Sequence, residues 1–303
     1  MGGARLSHAG ELAALGTAVC WAAGSNFFAA AGRRMGSQVL NRLRISTAFV
    51  LLALTLLVVR GSVWPTWIDG HAAWLLALSG LVGFIFGDAN YFRALVILGP
   101  GRASLLASTA PLFTTALAFP LLHEAPGRLA ALGIALTVGG VALVVLERGR
   151  QAHDHVEGSV VVGVVCGILG AVGQAGGYVL SKLAIRGGVD PLSATVVRIA
   201  AAAVGIWLLA PFMGGAAGTV TALRHRRSAL FMVAGAILGP FLGVVLSLAA
   251  LKTVQAGVAA SIIASYPVLT MIIASRFQGE RLTVRALGGA VVAAIGVAVL
   301  FMR

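Results

Sequence analysis

Residues 83–95 read GFIFGDANYFRAL, and residues 239–251, 156 positions later, read GPFLGVVLSLAAL. The two align without a gap: Gly83 falls on Gly239, Gly87 on Gly243, and Ala94-Leu95 on Ala250-Leu251. Held at that offset, Gly101-x-Ala103 meets Gly257-x-Ala259, Pro111 meets Pro267, Thr114 meets Thr270, Ala118 meets Ala274, and Glu124 meets Glu280. Gly133 then meets Gly289, and Gly140-Val-Ala142 meets Gly296-Val-Ala298. Matches of Ala and Leu follow from composition alone. The chain has only 9 Pro and 9 acidic residues, so aligned Pro and Glu pairs mark a duplication.

Composition fixes the solvent. With 59% apolar and 10% charged residues and a mean hydropathy of +0.99, against about 25% charged residues in soluble domains, the chain reads as an integral membrane protein. Apolar runs close to the ~20 residues that cross a bilayer fall near 10–31, 39–60, 72–97, 103–122, 129–146, 159–182, 190–212, 228–250, 256–275 and 285–302. That gives ten spans, five per half. An odd number per half makes the second copy enter the membrane from the opposite side, so the repeats are inverted. The run lengths, and the absence of short alternating segments, point to helices rather than barrel strands. The expected fold is an all-α integral membrane protein of ten transmembrane helices in two inverted five-helix repeats. The repeats occupy 1–146 and 159–303, with the hydrophilic stretch 147–158 (ERGRQAHDHVEG) as linker.

The net charge of +13 is spread over short loops and span ends with no soluble face to collect it. It therefore reads as contact with anionic lipid and not as nucleic-acid binding. Cys20 and Cys166 lie one per half inside apolar spans and suggest neither a disulfide framework nor a metal site. The first 31 residues resemble a signal peptide, but the run is long, carries Glu11 and has a counterpart at 159–182, so it reads as the first span. Lys and Arg residues are more numerous in the loops after odd-numbered spans, including Arg33, Arg34, Arg148, Arg150, Arg224, Arg226 and Arg227. By the positive-inside rule this places both termini outside the cytoplasm.

The stretch Ala94-Leu95, Gly101-x-Ala103-Ser104, Pro111-Leu-Phe-Thr-Thr, Glu124, Gly133 and Gly139-Gly140-Val, with its echo at Ala250-Leu251, Pro267, Glu280 and Gly296, resembles the EamA family of the drug/metabolite transporter superfamily. Arg44 and Arg198 match the Arg that family shows near the starts of its second and seventh helices. The resemblance covers nearly the whole chain. It implies a multi-pass protein of the cell (inner) membrane with both termini cytoplasmic, the reverse of the charge count. It also implies a central cavity lined mainly by spans 1, 3, 4, 6, 8 and 9. The family includes exporters of amino acids, other metabolites and toxic compounds, so it leaves the substrate open.

Ionisable groups inside a bilayer are costly unless they face water or a partner, so they are the first candidates for transport chemistry. Asp88 is the most embedded carboxylate, and its region has no counterpart in the second half, where Val244, Leu246, Ser247 and Ala249 stand for Asp88, Asn90, Tyr91 and Arg93. Phe84, Asp88, Tyr91 and Leu95 share a helical face. This aromatic, acidic stripe suits a cationic or zwitterionic solute. Asp88 is a candidate for substrate binding and for proton coupling, or it pairs structurally with Arg93 or Arg44. Span 4 sets Ser104, Ser108 and Pro111 at three- and four-residue spacing, and span 9 sets Ser261 and Ser265 at four, with Pro267 beyond. The serines are candidates for the cavity wall or for plain helix packing. Pro111 and Pro267 free backbone carbonyls and are expected to act as hinges or to shape the cavity.

In span 6, Gln174, Tyr178 and Lys182 share a face beside a glycine ladder of Gly163, Gly167, Gly170, Gly173 and Gly177 that reads as a tight helix contact. Gln174 and Tyr178 are candidate substrate ligands, while Lys182 is expected to snorkel to the interface. Trp21, Ser25 and Asn26 in span 1 and Ser247 in span 8 complete the cavity candidates. Glu124, Glu280, Arg44 and Arg198 read as structural charges, the glutamates pairing with an Arg or capping the next helix. No Walker, EF-hand, HExxH, Gly-x-Ser-x-Gly or CxxC pattern occurs, so the expectation is no cofactor, no metal and no enzyme activity. The function expected is secondary transport, outward, of small metabolites such as amino acids. A multidrug exporter of lipophilic cations and a lipid scramblase or membrane-embedded enzyme are the alternatives. The partners implied are a small-molecule substrate and the lipid bilayer; the oligomeric state is open.

Overall fold

Backbone groups inside a bilayer must be satisfied within their own segment, so runs of this length have helix as their stable form. The computed structural model of the protein describes residues 8–151, 159–212, 219, 222–278 and 283–302, and among these there is helix and no strand. The first half comprises α1 (Ala9–Met35), α2 (Ser37–Arg60), α3 (Gly70–Gly80), a π-helical turn (Leu81–Gly87), α4 (Asp88–Ala107), α5 (Ala110–Leu122) and α6 (Arg128–Gln151). The second comprises α7 (Val160–Arg186), α8 (Pro191–Leu208), α9 (Arg226–Ala236), a second π-helical turn (Ile237–Gly243), α10 (Val244–Thr253), α11 (Ala256–Ile263), α12 (Tyr266–Gln278) and α13 (Val284–Phe301). Nine stretches of the described residues are long and apolar enough to cross a membrane, and Ala256–Thr270 is a shorter apolar tenth. Helix α6 runs on to Gln151, five residues into the expected linker.

Two differences from the sequence reading concern breaks. Helix α4 continues across the expected loop between spans 3 and 4, yet the Tyr91 and Ser104 hydroxyls lie 3.5 Å apart. Thirteen residues of straight helix would separate them by about 20 Å. The chain therefore reverses between them, where Gly99-Pro100-Gly101 lies. Spans 4 and 9, expected as single helices, are each broken: α4 gives way to α5 at Ser108–Thr109, and α11 to α12 at Ala264–Ser265. Pro111 and Pro267 sit in the first turn after the break. A proline cannot donate to the carbonyl four residues earlier and its ring crowds it, so the helix ends before Pro and restarts with it. Hydroxyls bond the last carbonyls of the helix before each break: Ser108 donates to Leu105 O at 2.7 Å, Thr109 to Leu106 O at 2.6 Å, and Ser265 to Ile262 O at 2.7 Å.

The duplication is visible in the structure. The two π-helical turns are separated by the same 156 positions as the sequence repeat, and each holds two of its aligned glycines. Helices α6 and α13 pack so closely that an added Cβ on Gly140 would lie 2.3 Å from Ala293 N, and one on Gly296 2.4 Å from Thr137 N. Gly140 thus faces Gly289 while Gly133 faces Gly296, a cross-pairing of repeat-related residues along antiparallel helices. A two-fold axis relating antiparallel helices is perpendicular to both and so lies in the membrane plane. The repeats are inverted.

The halves also exchange their first helices. Helix α7 runs antiparallel along α3, the first π-turn and α4, where Cβ atoms on Gly173 and Gly177 would meet Gly87 Cα at 2.6 Å and Gly83 Cα at 3.2 Å. Helix α1 lies in the same way on α9, the second π-turn and α10, with Thr17 Oγ1 donating to Gly243 O at 3.4 Å. Small residues permit these approaches, and dispersion at close range drives association where lipid offers no hydrophobic contrast. The outer surface carries exposed Val58, Trp74, Phe119, Val161, Val204, Leu230 and Val291, as a lipid-facing surface should.

Candidate functional site

A cavity of about 190 Å³ lies where the first π-turn, the two helix breaks and the exchanged helices converge. Ala107 and Ala110 come from the first break, and Ile263, Ala264 and Tyr266 from the second. Ala107 and Ile263 each precede a proline by four, so at both breaks the carbonyl deprived of its helical donor belongs to a wall residue. The first residues of α5 and α12 are wall residues too, which turns two helix N-termini toward the space.

Of the residues singled out in the sequence, Trp21, Phe84, Asp88, Tyr91, Gln174 and Tyr178 line the cavity. Ser25, Asn26, Ser104, Ser108, Ser247, Ser261 and Ser265 are not among its lining residues. Most of these side chains bond helical carbonyls in their own turn: Ser25 and Asn26 donate to Ala22 O, Ser247 to Val244 O and Ser261 to Gly257 O. Ser104 contacts the cavity indirectly through the Tyr91 hydroxyl.

Asp88 pairs with Arg44, Oδ2 to Nη2 at 2.5 Å, and not with Arg93, which is exposed. Arg44 is held from behind by Asn41, whose Oδ1 accepts from its Nε at 2.6 Å, and its guanidinium lies 5.5 Å from the Phe28 ring centre. Arg44 itself lines the cavity, so the pair is part of the wall and Arg44 is more than the structural charge expected. Its counterpart Arg198 is 1% exposed and lies over the rings of Phe84 and Tyr178 at 4.9 and 5.9 Å.

At the end of the cavity nearest the start of α1, a charged cluster ties the halves together. Glu124 Oε1 meets Lys182 Nζ at 2.7 Å and Arg186 Nη2 at 2.6 Å, and Oε2 accepts from Ala256 N, the first residue of α11, at 2.8 Å. Lys182 also donates to Val254 O, and Arg186 to Leu122 O at 2.7 Å. Glu124 was expected to pair with an Arg or to cap the next helix; it pairs with Arg186 and caps a helix of the other half. Lys182, expected to snorkel, is 5% exposed, because a carboxylate and a carbonyl satisfy it inside the protein. The aligned Glu280 lies outside the described residues.

Sequence reasoning missed Arg44 as a wall residue, together with Phe92 and Tyr266. One signal was available: the chain has 3 tyrosines, Tyr91, Tyr178 and Tyr266, and all of them line this cavity.

Comparison with known proteins agrees with this architecture. The model of the EamA-like transporter family matches residues 8–146 and again 161–302. A solved structure described simply as "Crystal structure of protein" is 18% identical, with a TM-score of 0.73 over 96% of this chain and 95% of that one. It shares the fold. No curated protein matches the chain. Two family matches, one per inverted repeat and together covering nearly every described residue, show that the chain belongs to the EamA-like transporter family of the drug/metabolite transporter superfamily and is a multi-pass membrane transporter.

Proposed function

We propose that the chain is a secondary transporter that moves small polar metabolites, amino acids and related compounds among them, out of the cell by alternating exposure of the central cavity. The observation that carries this reading is the cavity's position: both repeats contribute its wall, each at a helix break where the helix can pivot. The cavity of about 190 Å³ lies below the ~300–1,000 Å³ of drug-sized ligand pockets. That size supports a small metabolite over a bulky lipophilic cation. The Glu124–Lys182–Arg186 cluster acts as a latch that closes one end, and the cavity opens toward the other. Asp88 serves coupling by exchanging its Arg44 partner for a proton as the halves rock. The family's usual orientation puts the latch, at the α1 N-terminal end, on the cytoplasmic side of the cell membrane.

The test is radiolabelled counterflow in proteoliposomes with amino acids, nucleobases and lipophilic cations, with and without a pH gradient. Accumulation of one small polar class supports the reading. Accumulation of lipophilic cations alone overturns the substrate range, and no accumulation by folded protein overturns the carrier reading and favours lipid activity.

A further inference from the structure

Arg44 and Arg198 are each the eighth residue of their helix, α2 and α8, yet their electrostatic situations differ. Arg44 is neutralised by Asp88. Among the described residues no carboxylate pairs with Arg198, and its Nε has no hydrogen-bond partner. The guanidinium sits in a slot opened by two glycines: a Cβ on Gly83 or Gly177 would lie 3.0 or 2.9 Å from its Nη2. Its nearest compensation is the faces of Phe84 and Tyr178. Ring quadrupoles attract a cation but do not neutralise it.

A buried, unpaired cation inside a membrane protein is expensive, and such charges mark substrate paths. Phe84 and Tyr178 are both wall residues, so the charge of Arg198 is one aromatic layer from the cavity. It is near enough to act on Asp88 through space without pairing with it. Among the described residues, the charged groups on or directly behind the wall are Arg44, Arg198 and Asp88, two positive and one negative. Their sum is one positive charge; the helix N-termini at Ala110 and Tyr266 are offset by the helix C-termini at Ala107 and Ile263, so the side chains set the sign.

We propose that the cavity recognises its solute through a carboxylate, with Arg198 supplying the countercharge across the Phe84 and Tyr178 rings. This rests on the carrier reading above and narrows it. The acidic stripe read from the sequence, which suited a cationic or zwitterionic solute, is cancelled by Arg44 and outweighed by Arg198. A solute carboxylate completes neutrality where the protein does not; an amine adds a second uncompensated positive charge.

The experiment compares, for methyl, isobutyl and benzyl side chains, the 2-hydroxy acid, the amino acid, its amide and the decarboxylated amine. Each is tested for thermal stabilisation of the purified protein and for counterflow in proteoliposomes. Both carboxylates are expected to stabilise and exchange, and the amide and amine not to. Arg198→Gln is expected to weaken carboxylate binding by about tenfold or more, the scale of one unit charge several ångströms away at an effective dielectric near 20, and Arg198→Lys to retain most of it. Amides or amines acting as well as the acids, or an Arg198→Gln protein of native helicity binding acids like the wild type, overturn the proposal. Exchange of amines alone leaves the carrier reading standing and removes the carboxylate. Should no probe bind or exchange, both fall. Because the ligand series uses the unmodified protein, it decides the matter even if Arg198→Gln does not fold.

Discussion

Changing Gly140 to alanine should damage the protein, whereas the same change one residue earlier should not. An added Cβ on Gly140 would lie 2.3 Å from Ala293 N, 2.6 Å from Gly289 O and 2.8 Å from Ala293 Cα, all of them backbone. Backbone cannot rotate aside. Reaching ordinary contact at 3.4 Å requires α6 and α13 to separate by roughly 1 Å. Overpacking of this kind costs about 1–3 kcal/mol. Gly139 has nothing within 4 Å of its would-be Cβ and faces outward. Alanine there carries only the helix-propensity gain of about 0.5–1 kcal/mol, which Gly140→Ala shares, so the difference between the two variants isolates the contact. Gly296→Ala, 2.4 Å from Thr137 N, should behave like Gly140→Ala, and the open Gly288→Ala like Gly139→Ala. The assay is SDS-driven unfolding in mixed micelles followed by circular dichroism. Equal midpoints for Gly139→Ala and Gly140→Ala would refute the close α6–α13 contact and, with it, the placement of the two-fold axis.

Asp88→Asn leaves Arg44 without its partner, and losing one member of a buried pair costs about 3–5 kcal/mol; solute exchange should persist at reduced rate but stop responding to an imposed pH gradient, and an undiminished response removes Asp88 from coupling. Glu124→Gln keeps an acceptor for Ala256 N but abandons Lys182, and should destabilise the latched state by a similar ~3 kcal/mol while the half-exposed Arg186 contributes little; unchanged exchange rates would argue that the cluster is not a latch. Asp190, just outside the membrane, caps α8 by accepting from Ser193 N at 3.0 Å. Its burial pushes the carboxyl up, but the Ser193 hydrogen bonds and the Arg60 charge outweigh this and hold it below the usual carboxylate range. The cap's charged form therefore stabilises above the unfolded pKa near ~3.9 and is lost as pH falls through the lower folded value. Asp190→Ala should cost about 1 kcal/mol at neutral pH, with the gap to wild type closing below about pH 4. A deficit independent of pH would contradict that.

The fold was legible because its determinants are long-range in sequence yet simple in kind. Apolar runs give the spans, and the paired Pro111 and Pro267 fall at equivalent helix breaks because a proline has the same backbone geometry wherever it stands. The glycine ladder of span 6 was read correctly as a tight contact, since absent side chains can only mean approach. Less legible was anything requiring knowledge of which halves touch. Glu124 and Lys182 are 58 residues apart in sequence, and nothing local reveals that one end of each half closes on the other. The serines, open in the sequence between wall and packing, mostly took the second role for a local reason: an intramembrane hydroxyl finds its nearest acceptor one turn back in its own helix. Arg44 and Arg198 looked equivalent by position, and only their neighbours, Asp88 for one and two aromatic rings for the other, separate them.

The central claim, that this cavity is the transport path and opens to one side at a time, is tested most directly by sided labelling of a cysteine in its wall. Ala264→Cys, in a background with Cys20 and Cys166 replaced by serine, adds one small thiol beside the second helix break. In sealed vesicles of known orientation, a membrane-impermeant maleimide should reach it from the side away from Glu124 only, and from the Glu124 side once Glu124→Gln is introduced. Transported solute should slow both reactions. Labelling from the Glu124 side in the intact protein, or a thiol unreactive from either side with and without the latch, would contradict the account.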